Sequence, residues 1–237
     1  SWGKLRHLFL IAESGSYRLP SVAPHHYPVG GFNPLFDQLL DEIDVRYGTR
    51  VRSIERGAKG PVVHCDDQSM NAELVVSTAP IDELLAFQFG ALEWKGYRIE
   101  VDRASEPSNG FAPDGVPFAW VYTPWEGTPV CRTTDFGVIH EGSERRGDAV
   151  VLREIPDDGV RMYPVSWEEE KFSQYLEAVS RIDGVIPIGR LGLYKYVTVD
   201  STYAMVDRML AALPDCQAGD SDARLAAMRS IRGDWQN

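Results

Sequence analysis

Gly189-Arg190-Leu191-Gly192-Leu193-Tyr194-Lys195-Tyr196 follows directly on the apolar run Val185-Ile186-Pro187-Ile188. A short β-branched run reads as a buried strand, and the glycine that ends it lets backbone come close to whatever lies at the strand's tip. One fixed cation and two tyrosines come next, and Asp200 reads as the cap of a helix with the apolar face Val206, Met209, Leu210 and Leu213. A helix N-terminus offers unpaired N–H groups and a partial positive charge, so strand, glycine, arginine and helix start together outline an anion site. The same spacing also fits a plain strand-to-helix turn with a surface arginine.

Working outward, Asn33-Pro34 reads as N-cap and first-turn proline of a helix whose face is Leu35, Phe36, Leu39, Leu40 and Ile43. Strand-like stretches follow at Thr49 to Ile54, Pro61 to Cys65 and Glu73 to Thr78, with Gly57 and Gly60 suiting a hairpin between the first two. Pro80 to Phe87 reads as a short helix, while 97–101, 118–122 and Ala149 to Ile155 read as strands. Ser166 and Glu169 have the spacing of a capping box, ahead of a helix with Phe172, Tyr175, Leu176 and Val179 inward. After Leu213 the residues turn polar and small, and a frayed tail is expected. Strands of both patterns with few helices predict an α/β to α+β fold with a mixed sheet.

A chain of 237 residues, 43% hydrophobic and with a formal net charge of −11, has enough apolar sequence for a substantial core. Its acidity argues against general nucleic-acid or anionic-membrane binding, both of which need a basic face. Cys65, Cys131 and Cys216 form no zinc spacing or disulfide framework, which fits a cytoplasmic, reducing location. No apolar run approaches the roughly 20 residues of a membrane span. No metal site is read from the histidine pair His25-His26, and no G-x-S-x-G, H-E-x-x-H or P-loop is present. None of the 21 glycines falls in a G-x-G-x-x-G turn.

Arg18, Arg132, Arg153 and Arg190 each sit beside an aromatic, proline or glycine. A guanidinium donates parallel charge-assisted hydrogen bonds that suit a diphosphate. With these arginines come Trp2-Gly3, Arg18-Leu19-Pro20, Gly30-Gly31-Phe32, Val75-Val76-Ser77-Thr78-Ala79-Pro80-Ile81-Asp82, Arg153-Glu154, Tyr163-Pro164 and the 189–196 stretch, in that order. The series resembles the UDP-galactopyranose mutase family, whose corresponding motifs are W-G, R-x-P, G-G-Y, V-V-x-T-G-P-[IL]-D, P-Y-T-R, R-E, Y-Y-P and G-R-L-G-x-Y-x-Y.

The resemblance implies an isomerase that interconverts UDP-galactopyranose and UDP-galactofuranose, a precursor of cell-wall polysaccharide, with reduced FAD. In that family the flavin N5 forms a sugar adduct and expels UDP, with no net redox change, so no side chain is the nucleophile. It implies uracil stacking by Trp2, diphosphate binding by Arg18 and Arg132, and phosphate hydrogen bonds from Tyr163 and Tyr196. Gly189, Arg190, Leu191 and Gly192 then face the flavin, and Thr78, Ala79 and Pro80 lie near its adenosine end. By the same comparison 1–32 is a substrate-side segment with a mobile loop and 33–82 belongs to the FAD-binding domain. Residues 83–165 form a mixed-sheet substrate domain, 166–213 a C-terminal FAD-contacting segment and 214–237 the tail. The family's N-terminal FAD-binding βαβ unit has no counterpart here, so that half is an expected partner beside a UDP-sugar and a second copy of the chain. Thr198 stands where the family usually has an aspartate, Lys95 where an arginine is usual and Tyr122 about where an asparagine is expected. Two alternatives stay open: a non-catalytic nucleotide-sugar-binding module, and a flavin oxidoreductase of the amine-oxidase type.

Overall fold

A computed structural model describes residues 31–110, 115, 117–123, 127–141, 149–218 and 220–233, apart from the side chains of residues 140, 141, 200 and 218. In chain order, α1 (Phe32–Leu40) precedes the strands β1 (Val51–Gly57), β2 (Gly60–Cys65), β3 (Ser69–Asn71) and β4 (Val75–Ser77). Next come α2 (Ile81–Leu84), β5 (Trp94–Lys95), β6 (Tyr97–Ala104), β7 (Trp120–Tyr122), β8 (Arg132–Asp135), α3 (Phe136–Glu141), β9 (Ala149–Pro156) and β10 (Tyr163–Pro164). A 3-10 turn (Ser166–Glu168) leads into α4 (Glu169–Ser180), β11 (Val185–Pro187), α5 (Gly189–Gly192), α6 (Val199–Ala218) and α7 (Ser221–Arg232). The mixture of helices with several small sheets is the expected α/β to α+β class.

The chain divides into two compact units, one of 1–45 and 98–156, the other of 46–97 and 157–237. The first holds the four-stranded sheet β6-β9-β8-β7. Its fixed point is Asp135, fully buried, whose carboxylate accepts from Gly137 and Val138 N–H at the start of α3 and from Ser108 N–H at 3.0 Å. The Asn109 amide donates to the carbonyls of Phe118, Ala119 and Thr133. Loop and sheet are thereby joined by a buried carboxylate and a half-buried amide, whose hydrogen bonds offset their desolvation. In the same unit, α1 begins at Phe32 with Gly31 as its N-cap, two residues before the expected cap Asn33, and no side chain caps it. The expected apolar face forms as far as Leu40, where the helix ends, so Ile43 lies beyond it; Leu35, Phe36, Leu39 and Ile43 stay exposed.

The second unit contains the antiparallel sheet β1-β2-β3, the parallel pair β4–β11 and the antiparallel pair β5–β10. Its core gathers Phe172, Tyr175, Leu176 and Val179 of α4, Val185 and Ile186 of β11, and Met205, Met228 and Ile231. Each large apolar side chain buried this way contributes about 1.5–3 kcal/mol before conformational entropy is counted. The inward face expected for α4 is the observed one, but its capping box is not made. Glu168 is the N-cap without a side-chain bond, and the Glu169 carboxylate pairs with Arg232 instead. Helix α6 likewise starts earlier than expected: the Thr198 carbonyl accepts the N–H and the hydroxyl of Thr202, so Thr198 takes the capping place assigned to Asp200. Its packed face is Met205, Met209 and Cys216, with Val206 and Leu213 partly buried against the core as expected, whereas Leu210 is exposed.

Past Leu213, where a frayed tail is expected, the chain stays helical to Ala218 and forms α7, which packs on α6. Asp220 caps α7 by accepting the N–H groups of Asp222 and Ala223. It buries Ala227, Met228 and Ile231, and two buried arginines complete the interface. Arg224 donates to the Ser180 carbonyl and pairs with Asp183, while Arg232 donates to the Leu193 carbonyl and lies 4.2 Å over the Phe172 ring. Arginine stems bury like hydrocarbon once the head group is paired, which polar composition does not reveal.

Candidate functional site

The stretch 185–196 supplies β11 of the parallel pair and the turn that follows it. Val185, Ile186 and Pro187 pair with Val75, Val76 and Ser77, and Ile188 N–H donates to the Ser77 carbonyl at 2.8 Å. Both strands therefore end together, and the turns that leave them, Thr78-Ala79-Pro80 and Gly189-Arg190-Leu191-Gly192, are neighbours at their carboxyl ends. Ligands of open α/β sheets bind in such a place. A Cβ on Gly192 would stand 2.7 Å from the Ser77 carbonyl oxygen, so backbone contact between the two turns requires glycine there. Gly189 has φ +78 and donates its N–H to the Met205 sulfur at 3.2 Å.

Arg190 does not project away from this turn. Its Nη2 donates to the Val197 carbonyl at 2.8 Å and Nη1 to the Met162 carbonyl at 3.5 Å. The guanidinium carbon lies 4.5 Å from the Tyr196 ring centre and 5.3 Å from that of Tyr163. Those two rings are stacked at 5.6 Å and 26°, and Tyr97 meets Tyr163 edge-on at 5.6 Å. The structure thus brings Arg190, Tyr163 and Tyr196 into one cluster. Tyr194, between them in sequence, points into the core. It is fully buried at φ 44, edge-on to Trp94 and stacked on Phe172, and its hydroxyl donates to the Glu93 carbonyl while accepting Val165 N–H. A left-handed tyrosine costs on the order of 1–3 kcal/mol, which the packing and paired hydroxyl offset. Burial pushes its pKa up to about 12, against the Val165 hydrogen bond.

Sequence reasoning missed the support of this cluster. Asp82, fully buried, accepts Arg161 on both oxygens at 2.8 Å and Leu92 N–H at 2.9 Å. Arg161 also lies over the rings of Phe87 and Trp94. This pair ties the turn after β4 to the segment Arg161-Met162-Tyr163, which carries one ring of the cluster and one carbonyl that Arg190 uses. Asp82 is visible in the 75–82 motif, but nothing in the sequence marks Arg161 as its partner.

Arg132 belongs to the other unit, where Tyr122, Arg132 and Glu154 stand directly opposite one another across β7, β8 and β9. Nε and Nη2 of Arg132 both donate to Oε1 of Glu154, the former at 2.9 Å, and Nη1 donates to the Tyr122 hydroxyl at 3.3 Å. Burial opposes the charge on Arg132, yet the bonds to Glu154 and Tyr122 outweigh it and raise its pKa further, so the cation persists at any usable pH. Arg153, on the same strand as Glu154, pairs with Asp102 at 3.0 Å. Lys95 is half-buried, and its pKa is raised by hydrogen bonding to Asp158. Trp2 and Arg18 lie outside the described residues. Among the described residues no group of three metal-ligating side chains occurs, and no helix is long and apolar enough to cross a membrane.

The family model described as UDP-galactopyranose mutase matches residues 21–196. A solved structure reported as the crystal structure of reduced UDP-galactopyranose mutase matches with a TM-score of 0.57 at 13% identity, covering 88% of this chain and 56% of that one. The chain thus spans little more than half the length of that solved enzyme, and the likeness at this identity concerns the fold. With the family model matched over most of its length and the fold in agreement, the chain belongs to the UDP-galactopyranose mutase family.

Proposed function

We propose that these residues hold the UDP-sugar and one side of the flavin in interconversion of UDP-galactopyranose and UDP-galactofuranose. The observation that carries the reading is the tyrosine–arginine cluster beside paired turns at the carboxyl ends of two parallel strands. Those turns suit a flavin chemically. Thr78, Ala79 and Gly189 to Gly192 offer backbone and small side chains, and the cation of Arg190 is close by. Reduced FAD, when bound, would supply the nucleophile, with no net redox change over the reaction. The chain's own part is to bind and orient. Tyr163 and Tyr196 donate hydroxyl hydrogen bonds to phosphate oxygens, and Arg132 and Arg18 meet the diphosphate charge that develops as UDP departs. Trp2 offers a stacking surface for uracil. Arg190, fixed by two carbonyls and two rings, holds the tyrosines in place and keeps positive potential at the flavin turn.

The test is calorimetry with UDP on residues 1–237, then turnover of UDP-galactofuranose with reduced flavin after an FAD-binding segment carrying a G-x-G-x-x-G turn is joined to them. Binding that is lost in Arg132→Ala supports the reading, and unchanged binding in that variant overturns the assignment of Arg132. No G-x-G-x-x-G turn occurs within these residues, so no backbone cradle for the FAD pyrophosphate is evident. Residues 1–237 expressed alone are expected to purify colourless, and a stoichiometric yellow complex would show that the flavin is held by another route.

One observation favours a second reading, a nucleotide-sugar-binding module without catalysis. Thr198, in the place of the family's aspartate, is engaged with the start of α6 through its carbonyl and through its hydroxyl, 2.9 Å from that of Ser201. UDP binding together with absent turnover in a flavin-loaded protein, restored by Thr198→Asp, would place the defect at this residue.

A further inference from the structure

The row Tyr122–Arg132–Glu154 gives Tyr122 a physical role. A guanidinium carries five N–H donors. Glu154 takes two of those of Arg132, but both on the single oxygen Oε1, so the carboxylate acts as a pivot about which the guanidinium plane can swing. A second fixed point is needed to stop that motion, and Tyr122 supplies it. Its hydroxyl accepts Nη1 at 3.3 Å, and its ring centre lies 5.6 Å from the guanidinium carbon. The strand register enforces the arrangement, since the three residues are direct cross-strand partners and their side chains share one face of the sheet. Asparagine at this position offers no ring, and its side chain is shorter.

We infer that Tyr122 is the positioning residue for Arg132 in diphosphate recognition. Glu154 holds one edge of the guanidinium, Tyr122 holds Nη1, and the two donors left on Nη1 and Nη2 are aimed as a fork for phosphate oxygens. The inference rests on the reading of Arg132 as a diphosphate ligand, and it adds that the orientation of the cation, beyond its charge, sets affinity. An unoriented guanidinium still attracts the anion but must lose rotational freedom on binding, and pre-orientation removes that cost.

Two measurements on residues 1–237 test it: the Nε–H resonance of Arg132 in ligand-free protein, assigned by its loss in Arg132→Ala, and calorimetry with UDP. Tyr122→Phe keeps the ring and removes the hydroxyl, and Tyr122→Asn removes both. In the phenylalanine variant the Arg132 resonance is expected to broaden. The dissociation constant for UDP should rise about three- to tenfold, the range one hydrogen bond supports, with the thermal midpoint unchanged. Tyr122→Asn should exceed both effects. An unaltered Arg132 resonance in Tyr122→Phe overturns the inference, whether or not UDP binds. Weak UDP binding by Arg132→Ala beside wild-type affinity in both Tyr122 variants overturns it as well. Wild-type affinity in Arg132→Ala, with the resonance still broadened by Tyr122→Phe, removes the diphosphate reading while leaving Tyr122 as the residue that orients Arg132.

Discussion

Arg190 and Arg132 are both arginines beside tyrosines, and they are built for different work. Arg190 spends its donors on two backbone carbonyls and lies against two rings, so its interactions are with the fold itself. Arg132 is held by a carboxylate and a phenol on neighbouring strands, partners that fix its direction and offset its charge without using all its donors. A cation tied to main chain organises a turn, whereas a cation tied to side chains is a recognition element whose strength is tunable. Substitution should therefore reduce stability at the first and affinity at the second.

The largest effect is expected where the Arg190 cluster is anchored. Asp82→Ala removes the buried partner of Arg161 and leaves the Leu92 N–H without its acceptor. Breaking a buried pair from one side costs roughly 3–5 kcal/mol. Urea denaturation followed by tryptophan fluorescence should show the loss, and a change under 1 kcal/mol would mean that the pair is not anchoring this unit. Arg190→Ala is next, at about 2 kcal/mol, because the Val197 carbonyl loses its partner and two rings lose the cation between them. The comparison breaks if this variant keeps full stability and loses only ligand affinity.

Both predictions concern contacts that were only half legible in the sequence. The strand that precedes Gly189, the hairpin of β1 and β2 and the inward face of α4 follow from patterns local to a few residues, and they form as expected. Arg161 and Asp82 are 79 residues apart, and no local pattern joins them. Helix α7 was hidden for a different reason: its interface uses arginine stems and their carbonyl partners, so composition reads it as solvated. The capping box at Ser166 failed because Glu169 has a stronger partner in Arg232, a residue from that same helix α7. In the site, the arginines and tyrosines were visible as residue types, whereas which of them face backbone and which face side chains depends on tertiary pairing.

Alkaline pH separates the two regions on another axis. Tyr194 has its pKa raised from 10.0 to about 12 by burial, so the folded state favours the neutral phenol more than the unfolded chain does. Stability from this group is fully present below pH 10 and falls as pH rises from 10 toward 12, by on the order of 2 kcal/mol. Arg132, with its pKa raised as well, keeps its charge across that range. Heating scans at stepped pH should therefore show the unit around Tyr194 loosening first, and Tyr194→Phe should flatten the dependence at some cost in hydrogen bonding. An equal decline in the phenylalanine variant would place the titration elsewhere.

The smallest effect is on the salt dependence of UDP affinity, and it separates two descriptions of the diphosphate site. Exposed charges are screened over about 10 Å at 0.1 M salt, so a site of bare arginines loses affinity steeply as salt rises. Arg132 already shares its field with Glu154 at 2.9 Å, which weakens the long-range attraction it exerts and leaves the short-range fork intact. The dissociation constant for UDP is then expected to rise only about threefold between low and high ionic strength, as screened surface attraction would give. Glu154→Gln makes the argument sharp. It removes the offsetting charge while keeping an oxygen that accepts from Arg132, so the affinity at low salt should increase and the salt slope should steepen. If the slope in Glu154→Gln stays at the wild-type value, Arg132 is not the cation that the diphosphate meets, and its pairing with Glu154 serves the sheet alone.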